Sequence, residues 1–301
     1  MTILRKVGIV GMGAIGAIHV HALCSNQQAT ISWICDSERS EHQKAVGPAT
    51  IPWYTNISDA LASRNADAVI LCTPEETHHS LGLQVLASNH HLLVEKPLAL
   101  KYTQCEELIK SAQRMNKVLG VGHSMRHDSF FQMVKKGQST KALTMVTFRR
   151  VYASRYWRTY CRVHPVFSLA IHDIDLAVWW SQSRAISIDV SHSKGSNHCP
   201  SGFFSAFRMT NGLQVQLDCA EDTGTSNPGL HYAVDLTWED GMTQRSEHVF
   251  HFKDSNFSSL MTAIGRLQDE FLGSLDHDRH SEAVVEHAEA VRIGETIAND
   301  W

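Results

Sequence analysis

Val7-Gly8-Ile9-Val10-Gly11-Met12-Gly13-Ala14-Ile15-Gly16 is the stretch whose reading decides the fold. A short apolar strand runs into a G-x-G-x-x-G turn, and a helical run through Ala22 and Leu23 follows. In a strand–turn–helix unit the first glycine permits the tight turn, the second lets the backbone approach a pyrophosphate, and the third lets helix and strand pack closely. The phosphates then meet free N–H groups at a helix N-terminus. An ordinary loop can carry the same glycines, so the context has to support the reading. A second apolar run, Ile31-Ser32-Trp33-Ile34-Cys35, ends in Asp36, close to the interval of about twenty residues at which a dinucleotide fold places its ribose-binding carboxylate.

Asp36 can accept hydrogen bonds from both ribose hydroxyls and repels a 2′-phosphate, which favours NAD. Ser37 and Arg39 follow at once, and an arginine there can hold a 2′-phosphate, so NADP stays open as the alternative. Cofactor contacts are expected from Gly11, Gly13, Ala14, Ile15, Gly16 and Asp36.

Outward from this unit, residues 1–123 alternate strand and helix. After the second strand come a helix around Ser40–Val46, a short segment near Ile51–Tyr54, and the segment Ile57–Arg64. The buried strand Ala66–Cys72 then ends at Thr73-Pro74, and a helix over His78–Ser88 leads to the apolar run His91-Leu92-Leu93-Val94. A helix over Thr103–Asn116 and a strand over Val118–Val121 complete the rhythm of a doubly wound parallel sheet, a Rossmann domain. The last apolar run ends in Glu95-Lys96-Pro97. A lysine at the carboxyl end of a buried strand stands where open α/β sheets bind ligands, and the proline stops regular pairing.

From Leu143 the character changes to strand-like runs at Leu143–Tyr152, Ile186–Ser193, Gly202–Met209, Leu213–Ala220, His231–Trp238 and His248–Phe252. Asn211-Gly212 between two of them is a hairpin signal. Residues 124–301 therefore read as an α+β substrate domain with a mostly antiparallel open sheet, a helix over Val166–Trp180, and a final helix, Glu282–Ala298, free to pack back on the first domain. On the first of these helices Ser168 and His172 are four apart and share a face, while Asp175 lies one turn beyond the histidine, placed to orient its ring.

A chain of 301 residues with 43% hydrophobic content suits two domains, each with its own core. A formal charge of −4 offers no overall attraction to nucleic acid or to an anionic membrane, so neither is expected as a partner. The seven cysteines form no C-x-x-C pair and read as reduced, mostly buried thiols. The chain enters its first strand right after Met1–Lys6, with no secretory segment and no apolar run near the length of a membrane span, and the expected location is the cytoplasm. Nineteen histidines invite a metal reading, but none falls in H-E-x-x-H or beside a cysteine at zinc spacing, so no metal is expected.

The ordered set Gly11–Gly16, Thr73-Pro74-Glu75-Glu76-Thr77-His78, Glu95-Lys96-Pro97-Leu98-Ala99 and His172-Asp173-Ile174-Asp175 with Trp179 resembles the glucose–fructose oxidoreductase/inositol dehydrogenase family, Gfo/Idh/MocA, over nearly the whole chain. The resemblance implies an NAD(P)-dependent oxidoreductase. It would transfer hydride between nicotinamide and a carbinol or carbonyl carbon of a sugar, cyclitol or related small molecule. It implies Lys96 and His172 as the catalytic pair, Ser168 and Asp175 as supporting groups, Thr73, Pro74, His78, Glu95 and Lys96 at the cofactor, and homo-oligomerisation through the C-terminal sheet. One position departs from the pattern: inositol dehydrogenase-like members commonly carry aspartate four residues before the histidine, and here Ser168 supplies no carboxylate.

The segment Arg149–Arg162 holds five arginines and no acid, and by the resemblance it lies over the substrate pocket. Arg155 and Arg158 are candidates for carboxylate or phosphate, and Tyr156 for stacking on a ring, with arginines solvated on a loop or paired with a neighbouring subunit as the open alternative. Two other functions on the same fold remain open. One is a glycosidase that oxidises and re-reduces its substrate with retained NAD, the other a non-catalytic cofactor-sensing regulator.

Overall fold

The computed structural model describes residues 4–38, 51–138, 140–153, 163–193, 202–222, 229–251, 258–275 and 283–300. The helix expected around Ser40–Val46 and the candidates Arg155, Tyr156 and Arg158 lie outside the described residues. In chain order the helices are α1 (Ala14–Cys24), α2 (Ile57–Ala62), α3 (His78–Ala87), α4 (Tyr102–Arg114), α5 (Ser129–Gly137), α6 (Ile171–Ser181), α7 (Ser258–Ser274) and α8 (Ala283–Asn299). The chain divides into two compact units, Met1–Asp128 with Phe257–Ala288, and Ser129–Asn256 with Glu289–Trp301.

The first unit is built on six parallel strands, β1 (Arg5–Val10), β2 (Ala29–Cys35), β3 (Trp53–Tyr54), β4 (Ala68–Leu71), β5 (His91–Val94) and β6 (Leu119–Val121). Their order is β3-β2-β1-β4-β5-β6. Strands covered on both faces need apolar side chains at every position, and Ala68-Val69-Ile70-Leu71 supplies them, all within 1% of complete burial. The chain direction away from β1 reverses between β2 and β4, so a crevice opens at the carboxyl ends of β1 and β4. The glycine turn leaves β1 there and Cys72-Thr73-Pro74 leaves β4 beside it.

Helix α7 packs on α1, and its Leu267, Phe271 and Leu272, with Leu275 just beyond, join Val7, Ile9, Val20 and Leu23 in one core. This helix and α5 are additions to the elements expected from the sequence. The signal for α7 was present: Leu260, Ile264, Leu267 and Phe271 recur at the helical period.

The second unit carries β7 (Leu143–Ala153), β8 (Ala185–Ser193), β9 (Gly202–Met209), β10 (Gln214–Asp222), β11 (Gly229–Trp238) and β12 (Thr243–His251), ordered β12-β11-β7-β10-β9-β8. Only β7 and β10 pair in parallel; the other neighbours are antiparallel. Asn211-Gly212 does turn β9 into β10, with Gly212 at φ +95°, a conformation that suits a residue without Cβ. Strand β12 starts at Thr243 rather than His248, because its polar first half pairs with β11 and presents no apolar pattern to read. The helix expected over Val166–Trp180 is two segments, a π-helical turn at Val166–Ala170 and then α6. Trp180 of α6 stacks on Phe148 of β7 with ring centroids 6.0 Å apart, which fixes the helix on the sheet.

Candidate active site

The three glycines of the first turn differ in what they are for. Gly11 has φ +92°, and a Cβ there would lie 2.6 Å from the Cys72 carbonyl oxygen, so turn and β4 are packed backbone to backbone. At Gly16 a Cβ would stand 2.0 Å from the Gly11 carbonyl oxygen. Gly13 is another case: it caps α1 in an extended conformation, φ −71° and ψ −168°, and a Cβ there would meet nothing within 4 Å. Among the described residues nothing demands glycine at 13. Gly13, Ala14 and Ile15 are exposed, and together they form the open N-terminus of α1.

Asp36 follows β2 and points back at this turn. Its Oδ2 accepts from Met12 N at 2.6 Å, and its Oδ1 accepts from Glu38 N at 3.1 Å. Each oxygen keeps a lone pair for a ligand hydroxyl while the carboxylate is locked in place.

After β4, the Thr77 hydroxyl donates to the Thr73 hydroxyl at 2.7 Å. His78, at the start of α3 and only 1% exposed, contacts the Pro97 carbonyl through Nδ1 at 2.7 Å and the Thr73 carbonyl through Nε2 at 2.8 Å. It thus clamps the turn after β4 to the turn after β5 by their backbones, and shapes the crevice from behind.

Glu95 is 9% exposed. Its Oε1 lies 2.9 Å from His19 Nε2, and its Oε2 accepts from Lys96 N at 3.1 Å. Burial opposes its ionisation, but the His19 hydrogen bond, the Lys96 charge and the Lys96 N–H together outweigh it and hold the carboxyl below its ordinary range. A Cβ at Gly122, beyond β6, would fall 2.6 Å from Oε1, so that glycine makes room for the carboxylate. Lys96 itself is half-buried at the end of β5.

In the second unit, Ser168 lies buried in the π-helical turn, His172 is half-buried in the first turn of α6, and Asp175 is 1% exposed one turn on. A π-helical turn immediately before a catalytic candidate is where such irregularities are often found. Asp173 is committed elsewhere. Arg150 Nε donates to its Oδ2 at 2.5 Å, Arg150 Nη2 to its Oδ1 at 2.7 Å, and the Tyr232 hydroxyl to Oδ1 at 3.0 Å. The guanidinium also lies 4.3 Å from the centre of the Tyr232 ring. Burial works against the charge on Arg150, yet Asp173 overrides it and holds the guanidinium well above its ordinary range. Arg149 is likewise used internally, donating to Asp235 at 2.8 Å. The two described arginines of the basic segment therefore tie the protein to itself.

Arg150→Met should cost about 3–5 kcal/mol, because it leaves a buried carboxylate without its partner. Urea denaturation of the variant would measure this, and a loss below about 1 kcal/mol would mean that the pair is not a structural lock.

Of the described cysteines, Cys35, Cys105 and Cys219 are buried, Cys72 is half-buried and Cys24 is exposed; all are free thiols. No helix among the described residues is long and apolar enough to cross a membrane.

Residues 5–123 match a family model described as the Gfo/Idh/MocA oxidoreductase family, NAD-binding Rossmann fold. The chain is 30% identical over 204 residues to an inositol 2-dehydrogenase/D-chiro-inositol 3-dehydrogenase of Lactiplantibacillus plantarum, an alignment that spans 65% of this chain and 57% of that relative. It is 25% identical to an inositol 2-dehydrogenase of Corynebacterium glutamicum over 79% of this chain and 73% of the relative. Among solved structures, the myo-inositol 2-dehydrogenase of Lactobacillus plantarum superposes with a TM-score of 0.85 at 17% identity, covering 99% of this chain and 98% of that one. The scyllo-inositol dehydrogenase of Lactobacillus casei with bound NAD(H) and scyllo-inositol gives 0.84 at 14% identity, covering 99% and 97%. At such identities the likeness speaks for the fold.

Proposed function

We propose that the chain, whose residues 5–123 match the Gfo/Idh/MocA oxidoreductase family model, is an NAD-dependent dehydrogenase acting on the CH–OH or C=O group of a sugar, cyclitol or related small molecule. The observation that carries the cofactor reading is Gly13, a glycine that no neighbour among the described residues requires, at the open N-terminus of α1. A pyrophosphate needs that space and those N–H groups. Relatives named as inositol dehydrogenases support the redox chemistry and the polyol class.

In this reading the turn from Gly11 to Gly16 takes the pyrophosphate and Asp36 the adenosine ribose. NAD, when bound, supplies the hydride acceptor. Oxidation of an alcohol also requires loss of its hydroxyl proton, and an imidazole, whose ordinary titration lies near neutrality, suits that transfer. His172 takes this role, with Asp175 one turn away to orient it. Lys96 donates to the reacting oxygen and stabilises the negative charge that develops there. Ser168, in place of the family's usual carboxylate, contributes a hydroxyl that hydrogen-bonds substrate or a water.

Absorbance at 340 nm during incubation with NAD and a panel of polyols, sugar acids and keto compounds tests the whole reading, and NADH formation with at least one polyol is the expected result. Cofactor retained through purification with no net NADH formed on any substrate would point instead to an internal redox cycle. Cofactor binding with no chemistry at all would point to a sensor.

Asp36 sets the choice of dinucleotide. Asp36→Ser should weaken NAD binding about ten- to a hundredfold, as expected for losing a charged hydrogen-bond acceptor, and should narrow the preference over NADP. Calorimetric titration with both cofactors measures it. Equal or tighter binding of NADP by the unmodified protein would overturn the assignment.

A further inference from the structure

Beneath the Glu95-Lys96-Pro97 turn lies a buried chain of polar groups that the chemistry above does not use. Gln268 of α7 is fully buried at 0% exposure, and so is His19 of α1. The Gln268 side-chain nitrogen lies 3.0 Å from His19 Nδ1 and 3.1 Å from the His19 carbonyl oxygen. A carbonyl oxygen only accepts, so the amide nitrogen, not its oxygen, faces His19. Its second N–H then meets Nδ1, which must offer a lone pair, and the ring proton sits on Nε2, directed at Glu95 Oε1 2.9 Å away. Glu95 in turn accepts the Lys96 N–H through its other oxygen.

The oxygen of the Gln268 amide has no partner among the described residues. A buried acceptor left unsatisfied is a cost, and a methionine or leucine at this position would fill similar space without it. Stability alone does not account for glutamine here; its two N–H groups do.

We propose that Gln268 is a positioning residue for Lys96, acting through the tautomer of His19 and the carboxylate of Glu95. This role rests on the reading of Lys96 as the group that faces the reacting oxygen. With Gln268 in place, His19 is a fixed donor, Glu95 is held by both oxygens, and the backbone from which the lysine side chain departs is anchored. Without it, the ring is free to carry its proton on Nδ1 and to present a lone pair to a carboxylate, which releases Glu95 and loosens the lysine turn.

The test uses the 301-residue protein in three forms, unmodified, Gln268→Met, and the double variant Gln268→Met/His19→Gln, without cofactor for spectroscopy and exchange and with NAD for turnover. Nitrogen-15 NMR of the His19 ring should show the Nε2–H tautomer in the unmodified protein and a mixture in Gln268→Met. Hydrogen exchange of the Lys96 amide should accelerate at least about tenfold in Gln268→Met, reflecting local opening of a turn that has lost its anchor. In the double variant, an amide at position 19 donates to Glu95 without any choice of tautomer, so exchange should slow again. A residue needed only for packing would not be rescued in this way. Turnover on any polyol that the unmodified protein oxidises should fall about ten- to a hundredfold in Gln268→Met, as displacement of a reacting group by a fraction of an ångström to an ångström produces, and should recover in the double variant.

An Nδ1–H tautomer in the unmodified protein overturns the proposal, and it does so even if Gln268→Met fails to fold. Unchanged Lys96 exchange in a folded Gln268→Met, or failure of the double variant to restore it, overturns it as well. If the ring and the exchange rates behave as expected while no polyol is oxidised by the unmodified protein, the positioning network stands and the dehydrogenase reading falls.

Discussion

Lys96→Met and His172→Ala should each lower turnover by about two to four orders of magnitude, or about 3–5 kcal/mol of barrier, with little loss of cofactor affinity. Methionine keeps an unbranched side chain one atom shorter than that of lysine and removes its charge. The Lys96 backbone N–H that Glu95 holds is untouched by the change, so the turn keeps its shape and the loss reports on the ammonium group itself. His172→Ala removes an imidazole from the first turn of α6 while the neighbouring Asp173 stays locked to Arg150, so the helix should keep its place on the sheet. If both groups act on one transition state, the double variant should be little worse than the worse single variant. Stopped-flow measurement of hydride transfer on the best polyol would read these effects directly. A His172→Ala variant with nearly full turnover would remove the histidine from the proposed chemistry and leave Lys96 as the proton-handling group.

Gly13→Val should abolish measurable cofactor binding, raising the dissociation constant at least about a hundredfold, while the protein melts within about 2 °C of the unmodified chain. The two halves of this expectation come from the same geometry. Nothing among the described residues lies within 4 Å of a Cβ at position 13, and the extended backbone there accepts any residue, so folding should tolerate the substitution. A pyrophosphate drawn onto the N-terminus of α1 would have to share that space with two methyl groups. Gly16→Val makes the control, because its Cβ would collide with the Gly11 carbonyl oxygen and the fold itself should fail. Full NAD affinity of Gly13→Val by calorimetry would show that the turn serves the fold alone.

How legible these features were depended on whether a local pattern or a distant partner defines them. The parallel sheet was readable because buried strands are uniformly apolar and the glycine turn has a strict spacing, and both are properties of a few consecutive residues. The lysine, the histidine and Asp36 could be named for the same reason. The fate of Asp173 could not. In the sequence it is one more residue of the His172-Asp173-Ile174-Asp175 motif, and its partner Arg150 is 23 residues away on another element, so only the folded sheet brings them together. Gln268 was less legible still: glutamine in a helix reads as surface, and its contact with His19 spans 249 residues. Helix α7 is a different case, since its helical period, Leu260, Ile264, Leu267 and Phe271, is present in the sequence. In the basic segment, Arg149 and Arg150 satisfy carboxylates of their own unit, which no local pattern announces, while the candidates Arg155, Tyr156 and Arg158 lie outside the described residues.

The first unit is discontinuous: it takes Met1–Asp128 and then waits for Phe257–Ala288. On a ribosome adding about 5–20 residues per second, the intervening stretch takes roughly 6–26 s to synthesise. Throughout that interval the strands around Val7 and Ile9 lack Leu267, Phe271, Leu272 and Leu275, so one side of their core is bare. The nascent chain is therefore exposed to aggregation and to chaperone capture for a period set by translation speed. A chain truncated after residue 256 should stay in that condition and accumulate as inclusion bodies or chaperone complexes, however intact its nucleotide-binding motif.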